Sequence, residues 1–333
     1  MATSSSLSTI AYIVPYFGRL PSSTRLWLLS CGANPTVDWI LLTDDRTSYD
    51  YPPNVHIHYC TYEEVKARIA AHFDFPVVIN KPWKLCEFRP AYGEIFAQEL
   101  AGYDFWGHCD MDLVFGDIRH FLTEDILSQY DRIGFQGHST LYRNTPEVNA
   151  RYRHIGEGIL SYHEAFQSER GRCFDEGGME RIYQDMGLPY YHETNFAHLN
   201  PCENSFYLGH LPKEDGYKNK RQVIVWQNGK IYRKYVYNGE IHTEEYMYFH
   251  TFMRPIKYKI TEYTPEGCYV AYPDKFIRID EKRITPAFIK RHGKCSAIQY
   301  YCRMAWAYRK KLTFKKIVAG IKTKLRGQKQ NKK

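Results

Sequence analysis

The sequence predicts an α/β chain: a mainly parallel central sheet with flanking helices, then a small antiparallel meander and a C-terminal helical extension. Three observations carry that expectation. Short apolar runs alternate with helix-forming segments through the first 120 residues, the pattern of successive β-α-β units. Two aspartates, Asp110 and Asp112, stand where one of those apolar runs ends. Two Asn-Gly pairs, Asn228-Gly229 and Asn238-Gly239, fall among β-branched and aromatic residues, and such pairs favour the positive φ of tight hairpin turns.

The elements follow in order. Ile10–Val14 is an apolar run halted by Pro15, a first strand, and the loop Tyr16-Phe17-Gly18-Arg19 comes after it. Ser22 or Ser23 caps a helix through Leu26, Trp27, Leu28 and Leu29. Asp38–Thr43 reads as a second strand ending in Asp44-Asp45, and Val55–Tyr59 alternates as a third. Thr61-Tyr62-Glu63-Glu64 opens the next helix, and a further helix from about Arg89 to Leu100 leads into the strand that ends at the paired aspartates. Alternate residues of an extended chain point the same way, so Asp110 and Asp112 are expected to converge. Beyond them Arg132–Gly137 and Ser139–Tyr142 read as strands, 146–170 lean to helix, and Phe174–Glu180 leads into a helix through Gln184. The two hairpins from Val223 end in Tyr246–His250. Ligands in sheets of this kind bind at the C-terminal edge of the strands.

Composition sets outer limits. With 333 residues, 44% hydrophobic and 25% charged, the chain has the balance of a soluble globular protein with room for one large domain or two modest ones. Its 29 Tyr offer flat faces with polar tips, which suit sugar rings and also fill cores. The nine cysteines include no Cys-x-x-Cys pair and their number is odd, so free thiols in a reducing cytosol are expected. Met1–Thr9 is serine-rich and lacks the features of a signal peptide, and no run approaches the roughly 20 apolar residues of a membrane span. A cytoplasmic location follows as the expectation.

The net charge of +8 is unevenly spread. Arg303–Lys333 holds twelve Lys and Arg and no acid, which leaves 33 cations against 37 acids, or −4, for residues 1–302. A body of that charge argues against nucleic-acid binding. Met304, Trp306, Tyr308, Leu312, Phe314, Ile317, Val318, Ile321 and Leu325 recur among the tail's cations at near-helical spacing. This pattern fits a peripheral helix on an anionic inner membrane face, or a docked helix with a solvated basic end.

The chemistry gathers around the acids. Two carboxylates one residue apart suit a hard divalent ion, Mg²⁺ or Mn²⁺, that also holds phosphate oxygens. Lys81, Lys84 and Arg89 lie at a helix start, where cations oppose the helix dipole, and that conflict favours a functional reading. Asp175 and Glu176 begin a later helix, where the dipole favours carboxylates and Asp175 suits an N-cap. Pro15 and Gly18 also read as turn punctuation, and Asp44 and Asp45 as loop.

Val14-Pro15-Tyr16-Phe17-Gly18, Thr43-Asp44-Asp45, the block Lys81-Pro82-Trp83-Lys84-Leu85-Cys86-Glu87-Phe88-Arg89-Pro90-Ala91-Tyr92-Gly93, Asp110-Met111-Asp112 and Phe249-His250 occur in that order. Over about residues 10–255 this resembles a nucleotide-sugar glycosyltransferase of the GT-A type, particularly uncharacterised bacterial proteins of surface-polysaccharide synthesis. The resemblance implies a GT-A-like catalytic domain over 1–255, its nucleotide-binding part about 10–120 and its acceptor part about 121–255. An addition over 256–302 and the basic tail 303–333 would follow. It implies that Pro15, Tyr16, Phe17 and Asp44 bind the nucleotide and that Lys81, Lys84 and Arg89 offset the diphosphate. Asp110, Asp112 and His250 would hold Mn²⁺ or Mg²⁺, the imidazole favouring Mn²⁺. Glu176 or Asp175 would take a proton from the acceptor hydroxyl, and Gly137-His138-Ser139 would face the acceptor. The partners implied are a nucleotide-sugar donor and a polysaccharide or lipid-linked glycan acceptor.

Two other classes fit parts of the pattern. Asp110-Met111-Asp112-Leu113-Val114 resembles the strand-end motif of haloacid-dehalogenase phosphatases, with Asp110 as nucleophile and Asp112 as general acid. That family places the motif on its first strand, whereas about a hundred residues precede it here. A non-enzymatic carbohydrate-binding protein with an acidic Ca²⁺ site would use the Tyr- and Trp-rich meander and would bind no nucleotide.

Overall fold

The first apolar run becomes β1 (Ile10–Pro15), flanked by β2 (Val37–Thr43) and, beyond it, β3 (Val55–Tyr59), all parallel. On its other side β1 pairs in parallel with β4 (Phe105–Cys109). After a turn, β5 (Leu113–Phe115) leaves that sheet. β6 (Arg132–Ile133) and β7 (Ser139–Arg143) complete it in the order β3-β2-β1-β4-β7-β6, with β7 antiparallel to both neighbours. The central sheet is therefore mixed. Its strands are apolar on both faces because both are covered: Ala11 and Ile13 face one core cluster, and Ile10, Tyr12 and Val14 the other. The computed structural model describes residues 7–199, 208–209, 221–251, 256–272 and 274–293, with 298, 302 and 305.

α1 (Thr24–Gly32) begins after Ser23, but no side-chain cap forms; the Ser23 hydroxyl donates to the Met111 carbonyl at 3.0 Å. α2 (Tyr62–His72) has the capping box that Thr61 and Glu64 promise. The helix expected over Arg89–Leu100 is different. A 3-10 segment, Pro82–Ala91, runs into one turn of α3 (Tyr92–Ile95). Pro90 lacks the N–H that an α-helix spanning this point would use. Gly93 lets α3 close on β4, since a Cβ there would sit 2.6 Å from the Trp106 ring. Short helices α4 (Ile118–Phe121) and α5 (Glu124–Gln129) follow β5. The 146–170 region resolves into α6 (Pro146–Ala150), a 3-10 turn and α7 (Tyr162–Gln167). A π-helical turn, Phe174–Gly178, precedes α8 (Met179–Asp185).

β8 (Phe196–His198) precedes the meander, β9 (Gln222–Gln227), β10 (Lys230–Tyr237) and β11 (Glu240–Tyr246). Both Asn-Gly pairs form its turns with positive φ: 50° and 74° at Asn228 and Gly229, 48° and 88° at Asn238 and Gly239. β12 (Tyr248–His250) lies between β5 and β8 in a three-stranded sheet. β13 (Lys257–Lys259), β14 (Cys268–Tyr272) and β15 (Lys275–Arg278) extend the meander into a six-stranded sheet, order β11-β10-β9-β14-β15-β13. Beyond residue 255, β14 is thus a direct partner of β9, β15 and β13 continue the sheet from β14, and α9 (Pro286–His292) follows them. Trp226 of β9 donates to the Phe115 carbonyl at 2.8 Å, tying this sheet to β5.

Cys31, Cys60, Cys86, Cys109, Cys173, Cys268 and Cys302 are free thiols. Among the described residues no helix is long and apolar enough to cross a membrane. The amphipathic tail expected over 303–333 lies outside the described residues except for Ala305. At Gly229, φ is +74° and a Cβ would lie 3.2 Å from that of Ala33. Gly229→Ala is expected to lower stability by about 1–2 kcal/mol, read from the urea midpoint, because left-handed backbone penalises a Cβ.

Candidate functional site

β4 ends at Cys109, one residue before the acidic pair, so Asp110-Met111-Asp112 is a turn between β4 and β5 rather than extended chain. Buried Met111 anchors that turn, and the Ser23 bond holds its carbonyl. β12 pairs with β5 so that His250 lies opposite Leu113, the residue after Asp112. Asp110, Asp112 and His250 consequently offer ligand atoms that all lie within 4.8 Å of one another. The His250 Nε2 is 3.2 Å from Asp112 Oδ1 and 3.9 Å from Asp110 Oδ2. Burial opposes the Asp112 charge, but the hydrogen bond and charge of His250, with the Thr251 hydroxyl, outweigh it and hold its pKa below the ordinary value. Two carboxylates and an imidazole converging on one point are a fitting donor set for Mn²⁺ or Mg²⁺.

These acids line a cleft of about 410 Å³, whose walls include Pro15, Tyr16, Phe17, Trp83, Arg89 and both aspartates. A cleft of that size is in the range of small-ligand sites. The β1 loop is held from two sides: the Tyr16 N–H donates to the Leu42 carbonyl at 2.8 Å, and Asp44 Oδ1 accepts from the Gly18 N–H at 2.7 Å. Burial first, then the Asp112 charge, raise the Tyr16 phenol, and Tyr16 lines the same cleft as the acidic pair.

Arg89 sits at the centre. Its guanidinium pairs with Asp110 Oδ1, donates to Asp175 Oδ2 at 3.1 Å and to the Gly137 carbonyl at 2.7 Å. The Gly137 N–H donates to Glu176 Oε1 at 3.2 Å. A Cβ at Gly137 would stand 2.5 Å from Asp175 Oδ2 and 2.7 Å from Glu176 Cγ, so only glycine permits this approach. Glu87 shapes the segment from below. Its Oε1 accepts from the N–H groups of Arg172 and Cys173 at 2.5 and 3.1 Å, and its Oε2 from Phe174 at 3.1 Å. Those bonds set the turn, with Cys173 at φ 54°, from which Asp175 and Glu176 project.

Several sequence expectations change in position. Lys84 is buried with its ammonium donating to the Ala165 and Arg170 carbonyls at 2.9 and 3.0 Å, so it braces the end of α7 and the residues after it instead of facing the cleft. Lys81 is exposed and does not line the cleft. Asp44 clamps the β1 loop and also stands outside the lining. Asp175 does not cap a helix; it serves Arg89. Pro15, Tyr16, Phe17, Arg89, Asp110 and Asp112 do share the cleft, His250 and Asp175 contact that group, and Glu176 is joined to it through Gly137, whose carbonyl accepts from Arg89. His198 and Glu87 carried no local signal. His198 ends a three-residue strand, and Glu87 sits in a block where the cations attract notice.

The acid-imidazole cluster thus lies where β4 and β12 end in a mixed α/β fold. The chain belongs to a family of unknown function, DUF6625, whose model matches residues 12–280. No curated protein matches the sequence. Among solved structures, the chain is similar to the glycosyltransferase GlyE of Streptococcus pneumoniae TIGR4, at 12% identity and a TM-score of 0.33. That match covers 57% of this chain and 46% of GlyE, so the chain spans about half the neighbour's length. It is also similar to the galactosyltransferase LgtC solved with donor and acceptor sugar analogs, at 12% identity and a TM-score of 0.33, over 56% of this chain and 75% of LgtC.

Burial raises the Asp175 pKa to about 7; Arg89 lowers it, while Glu176 and Asp110 add to the rise. The unfolded chain releases this proton near pH 3.8, so between there and about 7 the folded state binds more protons. Stability from this group is therefore complete below pH 3.8 and lost as pH rises through about 7. Urea midpoints measured from pH 4 to 8 should fall in the wild type and flatten in Asp175→Asn.

Proposed function

We propose that this chain is a cation-dependent glycosyltransferase that moves a sugar from a nucleotide-sugar donor to a polysaccharide or lipid-linked glycan. The single observation supporting it is the convergence of Asp110, Asp112 and His250 on a cleft that Pro15, Tyr16, Phe17 and Arg89 also line. Mn²⁺ or Mg²⁺, held by those three residues, would supply the positive charge that a departing nucleoside diphosphate needs.

The chain's own groups account for the rest. Tyr16 and Phe17 present aromatic surface for a base or sugar face. Arg89 holds one oxygen of Asp110 and leaves the other turned toward His250. Asp175 is buried and committed to Arg89, whereas Glu176 is only partly buried. Glu176 is then the carboxylate that accepts the proton of an incoming hydroxyl, while Asp175 positions Arg89. The phosphatase reading draws less support. It needs a lysine beside the nucleophilic Asp110, and neither Lys81 nor Lys84 lines the cleft.

The decisive experiment is a thermal-shift panel of nucleoside diphosphates with and without Mn²⁺. One diphosphate should raise Tm only with the cation, by the equivalent of about 2.7 kcal/mol at a hundredfold excess over Kd. Asp112→Asn should abolish that shift, and a panel flat in every lane would end the proposal. Glu176→Gln should keep the shift and lower kcat for sugar transfer by about 10²–10⁴-fold, the usual worth of a positioned base.

A further inference from the structure

His250 has two ring nitrogens, and only Nε2 faces the acids. Its Nδ1 lies 3.0 Å from Nδ1 of His198, its directly paired neighbour on β8. His138, in the loop before β7, completes a trio: its ring centroid is 4.4 Å from that of His250 and 5.3 Å from that of His198. The three imidazoles offer ligand nitrogens that lie within 4.8 Å of one another. His138 is 3% exposed, its Nδ1 is 3.0 Å from the Tyr248 hydroxyl, and its buried Nε2 has no hydrogen-bond partner among the described residues. Leaving a buried nitrogen unpaired is unfavourable, and a bound cation would remove that penalty.

We infer that His138, His198 and His250 form a second cation site, one that takes a borderline first-row ion such as Zn²⁺. The donor chemistry selects the ion. Three neutral imidazoles without a carboxylate suit Zn²⁺ rather than Mg²⁺ or Ca²⁺. At Zn–N distances of about 2.0–2.1 Å, tetrahedral ligand nitrogens stand about 3.4 Å apart, so the trio needs only small side-chain rotations. The Tyr248 hydroxyl, bonded to His138 Nδ1, fixes that ring's orientation and leaves Nε2 to ligate.

The two sites share His250 and exclude each other. A neutral imidazole carries one proton. A cation on Nδ1 sends that proton to Nε2, where Asp112 accepts it; a cation on Nε2 sends it to Nδ1, facing His198. Zn²⁺ in the histidine trio thus withdraws the imidazole from the acidic site, and this competition rests on the reading of that site given above.

Equilibrium dialysis of the full chain with Zn²⁺ alone, followed by metal analysis, tests the site without any sugar donor. The first equivalent should bind in wild type and in Asp112→Asn. Its affinity should fall by about 100-fold or more in His138→Gln and by about tenfold in Tyr248→Phe, the loss typical of a removed outer partner. Unchanged binding in His138→Gln, or equal loss in Asp112→Asn, overturns the inference. Should His138→Gln not fold, Co²⁺ substitution in wild type decides: intense visible d–d bands of tetrahedral nitrogen ligation support the site, and a pale six-coordinate spectrum refutes it. A flat nucleotide panel with intact Zn²⁺ binding would instead remove only the transferase reading and the competition.

Discussion

The Arg89 guanidinium is shared between two carboxylates from distant parts of the chain, and the site depends on that sharing. Asp110 leaves the end of β4, while Asp175 comes from a π-helical turn more than sixty residues later. One cation serves both, with the Gly137 carbonyl as a third acceptor. Removing one partner of a buried pair typically costs about 3–5 kcal/mol, because the other charge is stranded. The close approach at Gly137 and the Glu87 clamp are best understood as what brings Asp175 to Arg89. Burial is the main cause of the raised Asp175 pKa, Glu176 and Asp110 add to it, and the shared guanidinium offsets only part of the rise.

A second constraint comes from β12. Only three residues long, it pairs with β5, more than a hundred residues earlier, and with β8, about fifty residues earlier. This pairing puts His250 beside Asp112 on one side and His198 on the other. Backbone register thereby decides ligand geometry: a one-residue slip would turn His250 to the opposite face and dissolve both clusters. Trp226 and the Phe249 core beneath hold the register by packing the six-stranded sheet against β5.

Much of the local structure was legible beforehand. β1, β2 and β4 stand where apolar runs end in proline or aspartate, β3 where residues alternate, and both Asn-Gly turns have the positive φ their residues favour. The failures share a cause. Arg89–Leu100 has helical composition, but Pro90 and the packing of α3 on Trp106 shorten it. Lys84 looks like a phosphate ligand because of its neighbours in sequence, yet its ammonium is spent on the carbonyls of Ala165 in α7 and Arg170 just beyond it. Ser23 looks like a cap and instead holds the acidic turn.

From the amino-acid order alone come the strand-helix alternation, the hairpins, and the chemical character of Asp110, Asp112 and His250, because these depend on propensity and near-neighbour spacing. Folding alone decided which charges meet. The union of Arg89 with Asp175, the clamp of Glu87 on Arg172–Phe174, and the gathering of three histidines are contacts between segments 50 to more than 100 residues apart. No local periodicity encodes such meetings, since they follow from sheet register and from where a glycine leaves room.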